Sequence, residues 1–259
     1  MIVFGDGRFD PAGFRRLKEF LLFDEIDSTN SLAQRILDRA SDDDVELRPA
    51  AIAALAQRAG RGRRARRWDS PRGGLYATVM LPLTAPAPLA LLPLAAALVV
   101  ARALESEWGI QARFKWPNDV LCGDRKIAGI LTRAKSRGAE VHAAVGIGIN
   151  VRASMEEEIG PRATTVEREA GRRATVASML SALCRQIDDF LEMPAWETIV
   201  DRWTERTVHA QGDRLTIVLE DRPRSAVIGA FAGLTQDGFL RLSVDGNPTV
   251  VGSGEVESW

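Results

Sequence analysis

The sequence has few of the residues that mark secreted, metal-binding or strongly charged proteins. Its 259 residues include only two cysteines, Cys122 and Cys184, and two histidines. Two cysteines cannot form a disulfide framework for a chain of this length, and they make no metal-ligand cluster, which favours a reducing compartment. The formal net charge is −1, so the overall charge does not call for nucleic acid or an anionic membrane as a partner.

Targeting and membrane-spanning segments are also not evident. The N-terminus has no basic flank followed by an apolar run, so no secretory signal is predicted. Residues 79–101 form an uncharged stretch long enough to cross a bilayer, but its prolines at positions 82, 86, 88 and 93 would leave helical hydrogen bonds unmade in hydrocarbon. We interpret this stretch as strand, loop and buried helix, and we predict a cytoplasmic protein without membrane contact.

Several common catalytic motifs are missing. The chain has no G-x-x-x-x-G-K-[S/T] phosphate loop, no H-E-x-x-H zinc motif and no nucleophile elbow, and no metal site is predicted. Gly60, Gly62 and Ala65 match the G-x-G-x-x-G/A dinucleotide pattern, but the residues that follow run to Pro71 and do not open a helix. A nicotinamide or flavin site is therefore not predicted.

The most concentrated feature is a group of six arginines within residues 58–67, with no acidic residue among them. We call residues 60–68 the arginine loop. Its glycines, Gly60 and Gly62, let the backbone approach a ligand closely. Each arginine guanidinium group can donate two hydrogen bonds to the oxygens of one carboxylate or phosphate. The loop predicts a site for an anion, although a solvated basic loop or an RNA contact would explain the arginines equally well.

Two further motifs suit a ligand site. Lys115 to Asp119 reads Lys-Trp-Pro-Asn-Asp, which places a positive charge, an amide and a carboxylate at a strand end. Its alternative is an ordinary surface turn. Gly146 and Gly148 lie on one face of an apolar strand that ends at Asn150, which indicates that a ligand or another backbone presses on that face; a β-bulge is the alternative.

Hydrophobic periodicity predicts an α+β fold. Strands are predicted at 21–26, 51–56, 75–81 and 141–151, with a hairpin at Gly123-Asp124 and a buried helix at 89–108 that ends at Gly109. Residues 156–173 show neither period and are predicted to be a surface loop. From Gly212 the chain changes to short alternating runs, so we predict one domain over residues 1–209 and a small β domain over 210–259.

The order of these motifs resembles that of the biotin protein ligase family, from about residue 21 to 151. The matching segments are 27–30 (Asp-Ser-Thr-Asn), Gln57 with the arginine loop, 115–119, 125–129 (Arg-Lys-Ile-Ala-Gly) and 146–150, and the segment 252–256 resembles the family's C-terminal end. The resemblance implies a mixed-sheet catalytic domain shared with lipoate ligases and a C-terminal SH3-like barrel. It also implies that ATP, with Mg²⁺, activates biotin as biotinyl-5′-adenylate, from which biotin passes to a lysine of a biotin carboxyl carrier protein.

The resemblance also assigns site residues by position. Lys115 and Arg63 would be catalytic, with Lys115 contacting the activated carboxylate and the α-phosphate. Biotin would be bound by Ser28, Thr29, Asn30, Gln57, Gly60, Arg61, Gly62, Arg63, Lys115, Gly129 and Gly148. ATP and the adenylate would be bound by Arg61, Arg63, Arg66, Trp68, Lys115, Asn118 and Asn150.

The sequence departs from the family pattern at two places. Ala65 stands where the family loop has its last glycine, and alanine would strain the loop if that position requires a positive φ. Only about twenty residues precede the first predicted strand, too few for the DNA-binding domain of the family's repressors, so we expect no DNA contact. An exposed sheet edge would allow a homodimer, which the sequence does not decide.

Two other functions are compatible with parts of the sequence. A lipoate or octanoate ligase of the same fold would need a pocket for an extended chain, and the motif at 115–119 beside the arginine loop favours biotin. An RNA-binding or scaffold protein would use the arginine loop and the terminal barrel, but it leaves the motifs at 115–119 and 146–150 unexplained.

Overall fold

The computed structural model describes residues 1–42, 46–84, 88–137, 140–220 and 225–258. Within these ranges the strands are β1 (Ile2–Phe4), β2 (Gly7–Phe9), β3 (Glu19–Phe23), β4 (Ala50–Ala54), β5 (Gly74–Thr84), β6 (Arg113–Lys115), β7 (Asp119–Cys122), β8 (Arg125–Arg137), β9 (Glu140–Asn150), β10 (Arg214–Leu219), β11 (Ala226–Leu234), β12 (Leu240–Val244), β13 (Asn247–Val251) and β14 (Gly254–Ser258). The α-helices are α1 (Thr29–Asp42), α2 (Leu92–Trp108), α3 (Glu156–Ile159), α4 (Val166–Ala170), α5 (Val176–Glu192) and α6 (Ile199–Thr204).

A seven-stranded sheet in the order β3-β4-β5-β9-β8-β7-β6 forms the centre of the molecule. Strand β3 runs parallel to β4, and the other neighbours are antiparallel. The mixed sheet and the α+β class that the sequence predicts are therefore confirmed. The strands β5, β9 and β8 are long, and they form the floor of the site described below.

Helices cover the two faces of this sheet unequally. On one face α2 and α5 pack against each other and against the sheet. On the other face α1 buries Ala33 and Leu37 against Ile52, Met80 and Ala144, and it covers only part of the strands. The uncovered part of this face is where the cleft lies.

The apolar helix α2 is a core helix, as the sequence predicts. Residues Leu89–Trp108 are long and apolar enough to cross a membrane, but 67% of the apolar window is buried inside the protein. Leucine, valine and alanine lie all round the helix because it is enclosed by the sheet, α5 and α6. Gly109 ends it at φ 70°, a left-handed conformation that glycine adopts without strain.

The C-terminal residues form a five-stranded antiparallel sheet in the order β13-β12-β11-β10-β14, which is consistent with the SH3-like barrel implied by the sequence. Gly238 and Gly246 make its predicted turns at φ 81°. Its buried residues, among them Leu215, Phe231 and Val256, belong to the same hydrophobic cluster as those of the central domain. The boundary after residue 209 stays a prediction.

Three segments differ from the expectations. A hairpin of β1 and β2 precedes the first predicted strand and packs on α5. Strand β14 lies where only a terminal segment was expected. The predicted loop at 156–173 contains α3 and α4, and Thr164, Thr165 and Val166 within it are fully buried. Backbone bonds of Lys126 with Arg162 and Thr164 hold this segment against β8, which explains why its charged composition did not leave it as a surface loop.

Candidate active site

A cleft of about 230 Å³ opens on the face of the central sheet that carries α1. The N-terminus of α1, the arginine loop, strands β5, β8 and β9 and the C-terminal sheet together form its walls. It is lined by Thr29, Asn30, Gln57, Arg61, Gly62, Arg63, Arg66, Arg67, Trp68, Tyr76, Ala77, Asn118, Asp119, Lys126, Gly129, Ile130, Leu131, Gly146, Ile147, Gly148 and Glu255.

A network of short polar side chains forms one end of the cleft. The Gln57 Oε1 atom accepts hydrogen bonds from the Thr29 amide at 2.9 Å and from the Thr29 hydroxyl at 3.2 Å, and Gln57 Nε2 donates to Ser70 Oγ at 2.9 Å. Thr78, which is fully buried, donates to the Thr29 hydroxyl at 2.9 Å. These bonds fix the orientation of the Gln57 amide at the cleft wall.

Asn30 adds an unused acceptor to this end. Its Oδ1 atom is buried and has no hydrogen-bond partner in the described part of the chain. A Cβ atom at Gly146 would lie 2.0 Å from Asn30 Nδ2, so the absence of a side chain on β9 is what admits the Asn30 amide. Because an unmatched buried oxygen is costly, this end of the cleft suits a ligand that donates hydrogen bonds.

Trp68 lies flat against the strands in the middle of the cleft. Added Cβ atoms at Gly129 and Gly148 would stand 2.7 Å and 2.8 Å from its ring. The sequence predicted that these glycines let a ligand approach closely; both line the cleft, and their missing side chains also make room for the indole of Trp68. The indole Nε1 is itself buried without a partner among the described residues, so Trp68 offers a donor to the cleft.

Lys126 supplies a positive charge next to Trp68. Its Nζ atom lies 2.5 Å from Asp119 Oδ1 and 5.0 Å from the centroid of the Trp68 ring. Lys126, Trp68 and Arg67 also line a second pocket of about 210 Å³, together with Asp69, Asn150, Ile159, Arg162 and Ala163. The main cleft and the second pocket therefore adjoin at Lys126 and Trp68.

Lys115 lies at the end of β6, the edge strand of the central sheet. It is half-buried, pairs with Asp119 across β6 and β7, and is not among the residues that line the cleft. Burial lowers the pKa of the Lys115 ammonium, and the charges of Asp119 and Glu255 oppose that shift. The lysine that lines the cleft is Lys126, and the catalytic role that the sequence assigns to Lys115 stays a prediction.

The arginine loop forms the rim of the cleft, and Arg61, Arg63 and Arg66 line it as predicted. Arg63 donates to the Gly254 carbonyl at 3.0 Å and to Asn118 Oδ1 at 3.4 Å, and it pairs with Glu220. Gly60 contacts the protein itself, because a Cβ there would lie 2.4 Å from both Ser70 Oγ and the Trp68 carbonyl oxygen. Ala65 has a φ of 58°, so the position does adopt the left-handed backbone that glycine would favour.

The remaining residues that the sequence assigned to ligand binding mainly support the structure around the cleft. Ser28 is buried and accepts a hydrogen bond from the Ser31 amide at 3.3 Å, which caps α1. Asn118 donates to the Ile130 carbonyl at 2.8 Å and lines the cleft. Asn150 donates to the carbonyls of Lys126 and Thr164 and reaches only the second pocket. Ser28 and Asn150 thus hold the elements on which the cleft depends.

Among the polar residues that line the cleft, sequence reasoning named no role for Tyr76, Lys126 and Glu255. Lys126 and Glu255 stood inside quoted motifs without being assigned a role. The residue pair Arg125-Lys126, which directly follows a tight turn and leads into Gly129, was the available indication.

The cleft does not offer a metal centre. In the described ranges no group of three or more histidine, cysteine, aspartate or glutamate side chains is arranged to hold a metal ion. The carboxylates that line the cleft, Asp119 and Glu255, are engaged by Lys126 and by Arg64 and Arg66. The donor set therefore does not fit a Mg²⁺ ion held by the protein.

Comparisons with known proteins agree with this arrangement. The biotin/lipoate A/B protein ligase family model matches residues 23–150. The chain is 33% identical over 229 residues to the bifunctional ligase/repressor BirA of Escherichia coli, covering 85% of this chain and 68% of that protein. It is 32% identical over 242 residues to the biotin–[acetyl-CoA-carboxylase] ligase of Paracoccus denitrificans, covering 89% and 96%.

A solved structure shows the same fold. The biotin protein ligase of Aquifex aeolicus in complex with biotin and ATP matches with a TM-score of 0.72 at 27% identity, covering 93% of this chain and 98% of that chain. The resemblance inferred from the motifs is thereby confirmed. The chain belongs to the biotin/lipoate A/B protein ligase family.

Proposed function

We propose that the protein uses ATP to convert biotin into biotinyl-5′-adenylate and then transfers the biotinyl group to a lysine of a biotin carboxyl carrier protein. The observation that carries the proposal is the unpartnered Asn30 oxygen at one end of a cleft whose other end is rimmed by Lys126, Arg61 and Arg66. Biotin is a neutral ureido ring joined to a carboxylate, so its two ends match the two ends of this cleft.

The ureido ring is assigned to the polar end. Its N–H groups would donate to Asn30 Oδ1, and Thr29 and Gln57 supply further fixed dipoles for the ring. A polar site of this kind rejects analogues that lack the matching donor, because the buried oxygen would then be left unpaired. Lipoate carries no ureido group, which favours biotin over the rival acyl substrates.

The carboxylate is assigned to the cationic end. In the first step a biotin carboxylate oxygen attacks the α-phosphorus of ATP, a P–O bond forms, and the bond to the departing pyrophosphate breaks. Carboxylate and triphosphate repel each other, so the reaction requires cations beside both groups. Lys126 and Arg61, which line the cleft, are proposed for this role, and the assignment of Lys115 stays a prediction beside them.

In the second step the amine nitrogen of the carrier lysine attacks the acyl carbon of the mixed anhydride. The C–N bond forms, the bond between carbonyl carbon and phosphate oxygen breaks, and AMP leaves while the amine loses its proton. The same cations would neutralise the negative charge of AMP as it departs. Mg²⁺ would shield the ATP phosphates when it is bound to the nucleotide.

The nucleotide is assigned to the second pocket. Trp68 offers an aromatic face for the base, and Arg67 and Arg162 are positive charges at the same pocket. This placement keeps the α-phosphate near Lys126, where the two pockets adjoin. Asn150 supports the pocket through its bonds to the backbone of Lys126 and Thr164.

The carrier is proposed from the relatives, since the Paracoccus denitrificans protein is named as a ligase for acetyl-CoA carboxylase. The absence of DNA contact, the homodimer and the cytoplasmic location stay predictions.

The decisive experiment measures pyrophosphate release with ATP and either biotin or lipoate, followed by transfer of labelled biotin to a biotin carboxyl carrier domain. We expect release that depends on biotin and a label that survives denaturation on the carrier. Pyrophosphate release with lipoate but not with biotin would establish the rival ligase. No release with either acid would reject an adenylating enzyme.

A further inference from the structure

The arginine loop has a backbone that local sequence does not favour. Arg64 and Ala65 lie in succession in the left-handed region, with φ values of 56° and 58°. A side chain at Cβ disfavours this conformation, and two neighbouring residues without glycine rarely adopt it. Within the loop the backbone makes two local hydrogen bonds, from Gly62 N to Arg66 O at 2.8 Å and from Arg66 N to Arg63 O at 3.1 Å. Contacts from outside the loop must therefore contribute to holding this shape.

Those contacts come mainly from the C-terminal sheet. Arg66 pairs with both carboxylate oxygens of Glu255 at 2.7 Å, and Arg64 lies 3.6 Å from one of them. Arg63 adds its bonds to the Gly254 carbonyl and to Glu220. The Glu255 and Arg64 side chains are only 28% and 16% exposed, so water screens their interaction less than that of a surface pair.

Glu255 stands on a rigid support. It lies in β14 between the buried residues Gly254 and Val256 and pairs with Val218 of β10. The sheet is tied to the central domain by Trp116, whose indole Nε1 donates to the Gly238 carbonyl at 3.2 Å. The carboxylate is thus fixed relative to the cleft, and it lines the cleft wall.

We infer that Glu255 is a positioning residue, which reaches from the C-terminal sheet to hold the arginine loop closed over the cleft through Arg64 and Arg66. The loop stays closed because the ion pairs offset the strain at Arg64 and Ala65. Within the proposed function, on which this part of the inference rests, the closed loop retains the acyl-adenylate until the carrier lysine arrives.

The first test does not require any catalysis. Limited trypsin digestion of the full chain reports loop opening, because trypsin cleaves after arginine and the loop is rich in them. We expect Glu255→Gln to raise the cleavage rate within the loop roughly fivefold over the unchanged protein. The matched control is Glu257→Gln on the same strand, an exposed residue with no ion pair in the described ranges. Equal cleavage of the two variants would overturn the inference.

A second arm separates positioning from loss of folding. Raising the salt concentration is expected to speed loop cleavage more in the unchanged protein and the control than in Glu255→Gln, where, of the ion pairs in the described ranges, only Arg63–Glu220 still ties the loop to the C-terminal region. Arg66→Gln removes the same pair from the loop side and is expected to accelerate cleavage at the remaining arginines as well. A salt response in Glu255→Gln as large as that of the control would contradict the role of this carboxylate.

The third arm measures retention. In a single turnover without carrier, Glu255→Gln is expected to raise the rate of biotinyl-5′-adenylate release, relative to the rate of pyrophosphate formation, about fivefold over the unchanged protein. An equal fall in both steps would indicate general damage and contradict positioning. If the digestion results hold while no variant releases pyrophosphate with biotin, the proposed function fails and the role of Glu255 in holding the loop stands.

Discussion

The Lys126 ammonium stands 5.0 Å from the centroid of the Trp68 ring, at the place where the main cleft and the second pocket adjoin. This pair places a positive charge beside an aromatic face, and Asp119 at 2.5 Å keeps the ammonium oriented. A molecule that spans both pockets must pass this charge. The junction of an acyl group and a nucleotide would lie here.

Lys126→Ala is expected to slow adenylate formation about 10²- to 10³-fold, because it removes a preorganised charge from the reacting oxygens. The measurement is biotin-dependent pyrophosphate release under single-turnover conditions. The control is Lys135→Ala on the same strand, where the ammonium pairs with Asp38 away from the cleft. A larger loss in Lys115→Ala than in Lys126→Ala would instead give the main role to Lys115, as the sequence predicts.

Gly146→Ala is expected to weaken biotin binding at least about tenfold. The new methyl group would meet Asn30 Nδ2 at 2.0 Å and force the amide out of place, and such overpacking costs about 1–3 kcal/mol. Isothermal titration with biotin alone measures the effect. Gly13→Ala is the matched control, since nothing lies within 4 Å of a Cβ there. Unchanged biotin affinity in Gly146→Ala would remove Asn30 from the proposed pocket.

Arg63→Gly is expected to release adenylate before transfer. The substitution deletes the bonds from the arginine loop to Glu220 and the Gly254 carbonyl, and charged hydrogen bonds of this kind contribute about 1.5–3 kcal/mol each. The released anhydride would modify lysines on bystander proteins, which mass spectrometry detects. Products confined to the carrier domain would show that Arg63 is not needed for retention.

His209 is expected to make the fold less stable at acidic pH. Burial, assisted by the charge of Lys115 and opposed by Asp213, lowers the pKa of His209 from 6.5 to about 4. The unfolded chain therefore binds a proton that the folded chain excludes, so the stability present above about pH 6.5 is lost as the pH falls toward 4. From pH 7.5 to 5 the loss is roughly 2 kcal/mol.

Urea unfolding at these two pH values measures the effect of His209. In His209→Gln the decrease in unfolding free energy between pH 7.5 and 5 is expected to shrink by that amount. The same decrease in both proteins would assign the acid sensitivity to other groups.

The sequence predicted those parts of the fold whose pattern is local. Helix α2 and its end at Gly109, and the apolar strand β9, follow from runs of residues that suit one element only. The strands β1, β2 and β14 were missed because their pairing is non-local or their length is three to five residues. Glu255, for example, becomes a strand residue only through its partner Val218 on β10.

The site was harder to predict because small irregularities decide which side chains face it. On β7 and β8, Val120 pairs with Ala128 and Leu121 with Lys126, so Ile127 is an extra residue on its strand. Such a bulge reverses the alternation of side chains, and it turns Lys126 toward the same face as Gly129. Strict alternation would place these two residues on opposite faces. The choice between Lys115 and Lys126 could therefore not be made from spacing alone.

The bond from Trp116 to the Gly238 carbonyl, together with the apolar cluster shared by both regions, has a consequence for protein engineering. A residue of the cleft-forming Lys-Trp-Pro-Asn-Asp motif anchors the C-terminal sheet, and the turn at Gly238 rests on Leu91 and Leu94 of the central domain. Replacing the terminal barrel by that of a relative would thus expose apolar surface and disturb the substrate-binding strands together. Chimeric ligases will have to exchange the barrel together with the residues of the central domain that contact it.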